Sequence, residues 1–563
     1  MADCGTRILS ENYGDFIIDY TTITQIPNVV SDLCYNIVYG TVAVGYERLS
    51  TLPKNIFQSY SYSVFPHCYG LMDITSIDST GISRLRGIPS LNLKGKGILI
   101  GIVDTGIDYT HEAFRNEDGT TRILSIWDQT IQSDRVVEGF YYGTEYDESQ
   151  INEALLSTDP LSIVPSMDDN GHGTFLAGIA AGNINPAKEF SGVAPESKII
   201  VVKLKQAKKF IRDYFFIPEG ATCYSESDIM LGIKYLVDTA QKLNMPISIC
   251  IGLGTSQGGH DARSRLNSYL SYLADKRRIG ITIAAGNEGS SGHHFYGEVD
   301  KTLGYTSVEL RVGSNNKGFS MELWGSKPNL FSIDILSPTG EYIPEIPARI
   351  GTTRELKFLF ESSEVFIDYE LIETQTGDQL ILMRFKNPSE GIWKFRVYSK
   401  SSSRPSFHIW LPINEFLDDE TYFTEPDPNF TLTSPGNTIA TIVTTAYSST
   451  NESIYIYASR GFTRTNNISP TFAAPGVNLI GPTFNNGYIL ASGSSVAAAF
   501  TTGVVAMILE WSASSYEPVY KTVEIKNILI LGAERDPNLS YPNPVWGYGI
   551  LDVYNSFLIL RGR

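Results

Sequence analysis

Residues 491–499, near the carboxyl end, read Ala-Ser-Gly-Ser-Ser-Val-Ala-Ala-Ala, and an Ala- and Val-rich run continues to about Trp511. Alanine has the highest helix propensity and small side chains allow close packing, so this stretch predicts a buried helix. Ser495 would lie in its first turn, beside unpaired backbone N–H groups and the positive end of the helix dipole. Taken alone, such a serine is best interpreted as a helix cap without chemistry. Whether Ser495 has a catalytic role depends on the residues elsewhere in the chain.

Length and composition indicate a large folded protein with several structural units. The chain has 563 residues, of which 42% are hydrophobic and 19% charged, as in ordinary soluble globular proteins. Its net charge of −17 is spread without long single-sign runs, which argues against nucleic acid and anionic membrane surfaces as partners. No basic and apolar signal segment is visible, and no stretch approaches the roughly 18 apolar residues of a membrane span. We therefore expect synthesis in the cytoplasm without a signal peptide and without a membrane span.

Cysteine usage predicts free thiols. The five cysteines are odd in number, scattered, and without a Cys-x-x-Cys pair (Cys4, Cys34, Cys68, Cys223 and Cys250). Because this pattern is typical of proteins made in a reducing compartment, neither a disulfide framework nor a zinc site is expected.

The beginning of the chain predicts a small α+β unit. Residues 16–20, 35–39 and 42–46 have the composition of strands. So small a unit buries little apolar surface by itself, and we expect it to dock on the part that follows. Residues 55–69 are aromatic, serine-rich and extended. They allow two interpretations, a closing strand or linker, or a tail that lies in a groove and is open to proteolysis.

Alternating strands and helices follow from about residue 95. Apolar strand-like runs alternate with helical segments, with strands at 98–104, 198–204, 247–254 and 281–285 and helices at 227–243 and 264–278. This rhythm predicts a parallel α/β sheet with helices on both faces. Such sheets place ligands and catalytic groups at the carboxyl ends of their strands, and Asp104 stands at one of these ends.

The rhythm changes between about residues 303 and 435, where turn signals separate short strand-like runs without helices. This spacing predicts a β-sandwich or jelly roll. It would be inserted into the α/β domain, because β/α sequence resumes near Thr438 and includes the serine helix. The adjacent pair His293-His294 has no acidic partner at motif spacing and is interpreted as structural.

Three polar residues stand at strand ends or helix starts of the α/β domain, in the order Asp104, His172 and Ser495. Nucleophilic acyl transfer needs this set: a hydroxyl, an imidazole that takes its proton, and a carboxylate that orients the imidazole. Asn287, within residues 284–289 (Ala-Ala-Gly-Asn-Glu-Gly), offers a side-chain amide to the developing oxyanion. The constellation therefore predicts hydrolysis of an acyl bond, with Ser495 as the nucleophile.

With these motifs the chain resembles the subtilisin-like serine proteases, the subtilases of peptidase family S8. The matching segments are 104–108 (Asp-Thr-Gly-Ile-Asp), 171–174 (Gly-His-Gly-Thr), 286–287 (Gly-Asn) and 493–498 (Gly-Ser-Ser-Val-Ala-Ala). The resemblance implies a subtilisin-like parallel sheet flanked by helices, and it places the nucleophile at Ser495. Ser494 stands where the family has threonine, and Ala499 where it usually has proline, a packing position that leaves the chemistry intact.

The resemblance also implies substrate-binding residues. They would form a strand that pairs with the substrate backbone and a wall of the specificity pocket (Gly252, Leu253 and Gly254; Ala284, Ala285 and Gly286). The calcium loop usual in the family is not recognisable in residues 183–188. We therefore expect no metal and no other cofactor.

Within the family, a short leading unit, no signal peptide and a β insertion are most similar to the Csp germination proteases of clostridial spores. That resemblance implies a prodomain (1–74) acting as intramolecular chaperone and inhibitor, a first subtilase part (75–302), an inserted β jelly roll (303–435) and a second subtilase part (436–563). It implies self-cleavage, for which we predict the bond between Ile74 and Thr75, with the prodomain retained non-covalently. It also implies a spore location and a protein substrate, the zymogen of a spore-cortex hydrolase.

Two other functions remain open at this point. Some related proteins have lost triad residues, so one alternative is a regulatory or germinant-signal-binding protein on the same scaffold, against which the intact set argues. The other is a general subtilase of different biological role, located in the cytoplasm. Labelling by a serine-reactive fluorophosphonate and a peptide-library cleavage profile would separate these functions.

Overall fold

A nine-stranded sheet forms the centre of the fold. The computed structural model describes residues 4–19, 34–53, 56–72, 93–349, 353–400, 405–514 and 518–560. Most neighbouring strands of this sheet run parallel, and helices cover both of its faces. The predicted parallel α/β architecture is confirmed.

The leading residues form a small antiparallel sheet with short helices. Its elements are α1 (Cys4–Leu9), β1 (Tyr13–Asp19), β2 (Tyr35–Tyr39), β3 (Val42–Arg48), α2 (Ile56–Ser59) and β4 (Cys68–Leu71). The order β1-β3-β2 contains the three predicted strands. The unit packs on the following part of the chain: the Lys208 ammonium lies 2.7 Å from the Asp15 carboxylate, and the Tyr39 ring stacks on Tyr269 with 4.8 Å between centroids.

The cysteines are not all free thiols, which corrects the expectation from the sequence. Cys4 and Cys34 form a disulfide, with 5.5 Å between their Cα atoms, whereas Cys68, Cys223 and Cys250 are free and buried. The two bonded residues meet only because the leading sheet folds back on α1. Their separation of 30 residues along the chain gives no signal of this pairing.

The first α/β segment follows. Its elements are β5 (Leu99–Asp104), β6 (Ile123–Asp128), β7 (Thr144–Asp147), α3 (Glu148–Leu156), α4 (His172–Ala181), β8 (Lys198–Lys203), α5 (Lys209–Tyr214), β9 (Tyr224–Ser225), α6 (Glu226–Lys242), β10 (Ile247–Ile251), β11 (Leu253–Gly254), α7 (Arg265–Ala274) and β12 (Ile279–Ala284).

The predicted all-β region forms two antiparallel sheets with a shared apolar core. Its strands are β13 (His294–Glu298), β14 (Tyr305–Val312), β15 (Gly318–Gly325), β16 (Phe331–Leu336), β17 (Tyr342–Ile346), β18 (Thr353–Lys357), β19 (Glu364–Glu370), β20 (Gln379–Lys386), β21 (Gly391–Ser399), β22 (Ser406–Trp410) and β23 (Tyr422–Phe423). One sheet has the order β13-β22-β15-β20-β19-β18 and the other β17-β16-β21-β14-β23. Leu323 and Phe385 from the first sheet and Phe395 from the second belong to the core.

The last α/β segment completes the central sheet. Its elements are β24 (Ile442–Ser448), β25 (Ser453–Ile454), β26 (Phe472–Pro475), β27 (Leu479–Thr483), β28 (Gly487–Ala491), α8 (Ser494–Ser514), α9 (Thr522–Gly532) and α10 (Val553–Leu560). The central order is β25-β24-β12-β10-β5-β8-β6-β7, with β26 beside β24.

Strand β5 shows why the sequence of a central strand is apolar throughout. Ile100 and Ile102 face the core that contains α4 and α8, whereas Leu99 and Val103 face the core that contains α6 and α7. Successive strand residues point to opposite faces, and both faces are covered. The carboxyl ends of the parallel strands β5, β10 and β12 therefore meet at one edge, beside the first turns of α4 and α8.

Within the described part of the chain, one helix is long and apolar enough to cross a membrane by length and composition. It is α8, and 78% of its apolar window is buried inside the protein. The sequence had indicated no such stretch, because serine, threonine and glycine interrupt its apolar residues. Its contacts with β10, β12 and α4 are those of a core helix.

Candidate active site

Asp104 and His172 are brought together by the end of one strand and the start of one helix. His172 Nδ1 lies 2.7 Å from Asp104 Oδ1, and the Thr105 N–H donates to the same carboxylate oxygen over 2.8 Å. Gly173 allows this approach: a Cβ there would lie 2.2 Å from the Gly106 carbonyl oxygen. The glycines around His172 therefore let the helix begin directly against the strand end.

The pKa of His172 is set by opposing effects. Burial lowers it, but the charge of Asp104, the hydrogen bond to Asp104 and the charges of Asp168 and Glu415 raise it, so that the pKa lies above its ordinary value of 6.5. The other ring nitrogen, Nε2, is buried and has no hydrogen-bond partner among the described residues. The imidazole is thus oriented at one nitrogen and available at the other.

Ser495 lies in the first turn of α8 and is fully buried. Its hydroxyl does not donate to His172 but to the backbone carbonyl oxygen of Met72, over 2.8 Å. Both catalytic candidates border Gly252: a Cβ on that glycine would lie 3.1 Å from His172 Cε1 and 3.2 Å from Ser495 Cβ. A carbonyl group of the chain itself therefore occupies the position next to the predicted nucleophile.

Asn287 lines the same cleft as Met72. Its side-chain oxygen accepts from the backbone N–H of Ser494 over 3.1 Å, and the Ser494 hydroxyl accepts from the Gly286 N–H over 3.1 Å. These bonds fix Asn287 against the first turn of α8. The side chain borders the cleft together with Met72 and His172, where an oxyanion donor is needed.

Strand β4 lies as the middle strand of a three-stranded antiparallel sheet, in the order β11-β4-β9. Gly70 pairs with Gly254 and Leu71 with Leu253. The Met72 N–H then donates to the Gly252 carbonyl over 3.1 Å. The predicted substrate-pairing residues thus hold residues 70–72 of the chain itself, directly after the aromatic stretch, whose last residues Cys68 and Tyr69 belong to β4 and pair with β9.

The side chain of Met72 lies between the two predicted substrate-binding segments. A Cβ on Gly254 would be 3.0 Å from Met72 Cε. The Thr433 hydroxyl lies 3.6 Å from the Met72 sulfur. On the other side, the Ala285 carbonyl accepts from the Thr433 N–H over 3.1 Å, and Gly286, with φ +108°, leaves room for the Thr433 side chain. Ala284 ends β12 directly before these residues.

Sequence reasoning missed three parts of this site. They are the pocket residue Thr433, the occupant Met72, and residues 413–416 (Ile413, Asn414, Glu415 and Phe416), which we call the strap. The strap follows the last long strand of the all-β region and lies over β4, where the Glu415 carboxylate accepts from the Leu71 N–H over 2.9 Å. None of these has a local motif. Ile74 and Thr75, the predicted cleavage site, lie outside the described residues.

Beyond Met72 the cleft opens into a cavity of about 830 Å³. Its lining includes Glu288, His293, Asp419 and Tyr457. His293 Nδ1 lies 3.1 Å from the Glu288 carboxylate, and its neighbour His294 contacts His408, with 2.9 Å between ring nitrogens. Within the described ranges, no three His, Cys, Asp or Glu side chains are grouped so that they could hold a metal ion.

Comparisons with known proteins agree with this geometry. The model of the subtilase family matches residues 95–308 and 424–549. The CspB protease of Clostridium perfringens is 31% identical in sequence, and the match covers 84% of this chain and 97% of that one, with a TM-score of 0.74. Fervidolysin from Fervidobacterium pennivorans, a keratinolytic enzyme related to subtilisin, is 12% identical with a TM-score of 0.50 over 97% of this chain and 61% of that one, which shows the fold alone.

Curated relatives are more distant in sequence. The PII-type proteinase of Lacticaseibacillus paracasei is 20% identical over 527 residues, which is 82% of this chain and 26% of that protein. The PIII-type proteinase of Lactococcus lactis subsp. cremoris is 20% identical over the same number of residues, and the match covers 82% of this chain and 25% of that protein. The chain thus spans about a quarter of the length of these curated relatives.

Proposed function

Because this chain belongs to the subtilase family and is a subtilisin-like serine peptidase, we propose that it cleaves its own leading unit and then activates a zymogen in the bacterial spore. The observation that carries the first step is the 2.8 Å contact between the Ser495 hydroxyl and the Met72 carbonyl oxygen. A peptide carbonyl held beside an activated serine in a buried groove is a substrate in position.

The proposed chemistry follows from the contacts of the site. The Ser495 hydroxyl first turns from the Met72 carbonyl oxygen toward His172 Nε2, which has no hydrogen-bond partner among the described residues. Ser495 Oγ then attacks the carbonyl carbon while Nε2 takes the hydroxyl proton. Asp104, 2.7 Å from Nδ1, holds the tautomer and stabilises the imidazolium. The negative oxygen of the tetrahedral intermediate is stabilised by the Asn287 amide and the Ser495 backbone N–H. Collapse breaks the peptide bond, and His172 gives its proton to the leaving amine. A water molecule, deprotonated by His172, then hydrolyses the acyl-enzyme.

From the same contact we propose that the bond to be cleaved is that between Met72 and Asp73. In the pairing with β11, Met72 is the residue whose N–H reaches Gly252 and whose side chain enters the specificity pocket. This supports a bond two residues before the predicted pair Ile74 and Thr75. Cleavage there leaves the leading unit bound through non-covalent contacts, including the buried pair of Lys208 and Asp15.

The self-cleavage is tested with Ser495→Ala. Wild-type protein should yield a fragment ending at Met72 and a chain beginning at Asp73, detected by intact mass and amino-terminal sequencing. The Ser495→Ala variant should remain one chain, because removing this nucleophile costs about a millionfold in rate in subtilisin itself. Ser268→Ala, which changes an exposed serine on α7, serves as the control and should process normally. A processed Ser495→Ala chain would contradict the proposal.

For the biological role we propose activation of the precursor of a spore-cortex hydrolase. The support is the 31% identity with the CspB protease of Clostridium perfringens over 84% of this chain, together with the resemblance stated from the sequence. Purified protein should cut such a precursor at one position, and Ser495→Ala should not. A broad cleavage profile on a peptide library would instead favour a general subtilase of another role.

A further inference from the structure

The strap extends the active site in a way that bears on specificity. Resting on the proposed self-cleavage, we infer that residues 413–416 make this peptidase selective for glycine as the third residue before the cleaved bond. In the chain's own tail that residue is Gly70, and the cleaved sequence is Tyr69-Gly70-Leu71-Met72.

The strap is anchored on both walls of the cleft. The Asn414 N–H donates to the Glu288 carboxylate over 3.2 Å, and the Asn414 side-chain amide donates to the Ser291 hydroxyl over 2.8 Å. On the opposite wall, the Thr222 N–H donates to the Glu415 carboxylate over 3.1 Å. Glu288 and Ser291 follow β12, whereas Thr222 precedes β9. The strap therefore crosses from one wall to the other above β4.

The strap also forms a hydrogen bond with the backbone of the bound segment. One Glu415 oxygen accepts from Thr222 and the other accepts from the Leu71 N–H over 2.9 Å. Hydrogen bonds to a charged partner are stronger than neutral ones. The Glu415 carboxylate is thereby held between Thr222 on the wall of the cleft and Leu71 in the bound segment.

No space remains at Gly70 for a side chain. A Cβ there would lie 2.6 Å from Glu415 Oε2, 2.6 Å from Ile413 Cδ1 and 3.3 Å from Phe416 Cζ. Ile413 and Phe416 are 1% and 3% exposed, so neither can swing into solvent without moving its neighbours, and Glu415 is held by two backbone N–H groups. A residue other than glycine would have to displace the Glu415 carboxylate from its two backbone N–H partners and move the Ile413 side chain.

The inference is tested by self-cleavage of the full chain. Gly70→Ala should slow the appearance of the fragment ending at residue 72 by roughly ten- to a hundredfold, the effect expected for forcing one methyl group into a packed site. Gly70→Val should slow it further. Gly220→Ala is the matched control, because Gly220 is exposed and has no atom within 4 Å of the added Cβ, and it should process at the wild-type rate.

A rescue experiment separates the strap from a general folding defect. Ile413→Ala removes the Cδ1 atom that a residue-70 methyl would meet, so the double variant Gly70→Ala/Ile413→Ala should recover at least half of the lost rate on a logarithmic scale. Equal rates for Gly70→Ala and wild type would overturn the inference, as would a slow Gly70→Ala chain that Ile413→Ala does not accelerate. Failure of the wild-type chain to process would instead overturn the proposed function.

Discussion

The two sides of Ser495 differ sharply. On one side, β4 lies between β11 and β9, and Cys68, Tyr69 and Met72 are at most 2% exposed. On the other side, the cleft is a cavity of about 830 Å³ bordered by polar residues such as Glu288 and Asp419. The described residues thus hold the acyl half of the proposed substrate through strand pairing and burial, whereas polar side chains border the cleft beyond Met72. Under the proposed function, this arrangement would retain the first product.

Under the proposed function, the contacts that give specificity for the bound tail are also those that would block the active site. The contacts that select the chain's own tail, from the Gly252 carbonyl, the specificity pocket and the strap, remain after the bond is cut. The leading unit adds further contacts with the protease surface at Lys208 and Tyr269. Because several tethered contacts act together, the effective concentration of the tail at the groove is high. Under the proposed function, cleavage of other proteins would therefore require the bound tail to leave the groove.

The largest expected effect on retention of the leading unit comes from breaking the contacts that hold it. Lys208 and Asp15 form a pair with side chains 5% and 6% exposed, and Lys208 also donates to the backbone carbonyls of Arg7 and Tyr13. Lys208→Met keeps the apolar stem but leaves Asp15 buried without its cation, which costs about 3–5 kcal/mol. Retention of the cleaved leading unit should weaken about a hundred- to several thousandfold. Gel filtration of processed protein would measure the loss.

The control for this prediction is the neighbouring lysine. Lys209 pairs with Asp213 four residues later on an exposed helix face, with side chains 75% and 61% exposed, and such pairs contribute little. Lys209→Met should leave the fragment bound. If Lys208→Met also co-elutes with its fragment and shows no increase in cleavage of added peptides, the buried pair is not what retains the leading unit.

The next effect concerns the pocket on the occupied side. The Met72 side chain is 2% exposed and meets Gly254 and the Thr433 hydroxyl. Met72→Asp would bury a carboxylate there without a cation, so self-cleavage should slow at least about a hundredfold. Met72→Leu keeps the volume and should stay within about tenfold of wild type. Processing of Met72→Asp at the Met72→Leu rate, measured by mass spectrometry over time, would show that this pocket does not select the cleaved bond.

The candidate catalytic residues could be proposed from the sequence because each stands in a position that local structure encodes. Asp104 ends an apolar strand, and His172 stands between glycines at a helix start, so a few neighbouring residues encode the position of each. The order and the small-residue context of these motifs then indicated one fold. The parallel α/β architecture, though not the strand order, followed from the same alternation of strands and helices.

The contacts that hold the bound tail on one side of Ser495 could not be predicted in this way. Met72 and Ser495 are separated by 423 positions along the chain, and the strap belongs to a region whose strands carry no catalytic motif. Glu415 and Thr433 have the appearance of ordinary loop residues, since their role depends on which segment lies against them. The Cys4–Cys34 disulfide was missed for the same reason: a contact between distant residues leaves no spacing signal.

The smallest effect is the pH dependence, which distinguishes the cleavage step from release of the leading unit. His172 accepts the Ser495 proton only when its imidazole is neutral. Burial lowers the pKa of His172, but Asp104, Asp168 and Glu415 raise it to a net value above 6.5. The imidazole is therefore protonated below that pKa, and the self-cleavage rate should fall about tenfold for each pH unit below it and level off above it. Single-turnover processing of freshly refolded chain at a series of pH values would measure the midpoint.

Asp104→Asn sharpens this last prediction. The substitution removes the negative charge that raises the pKa of His172, so the midpoint of the remaining activity should move to lower pH, in addition to a loss of rate of about 10⁴-fold. Release of the leading unit, in contrast, is governed by contacts such as Lys208 with Asp15 and should not follow the same midpoint. An unchanged midpoint in Asp104→Asn would contradict the assignment of this midpoint to the His172 imidazole.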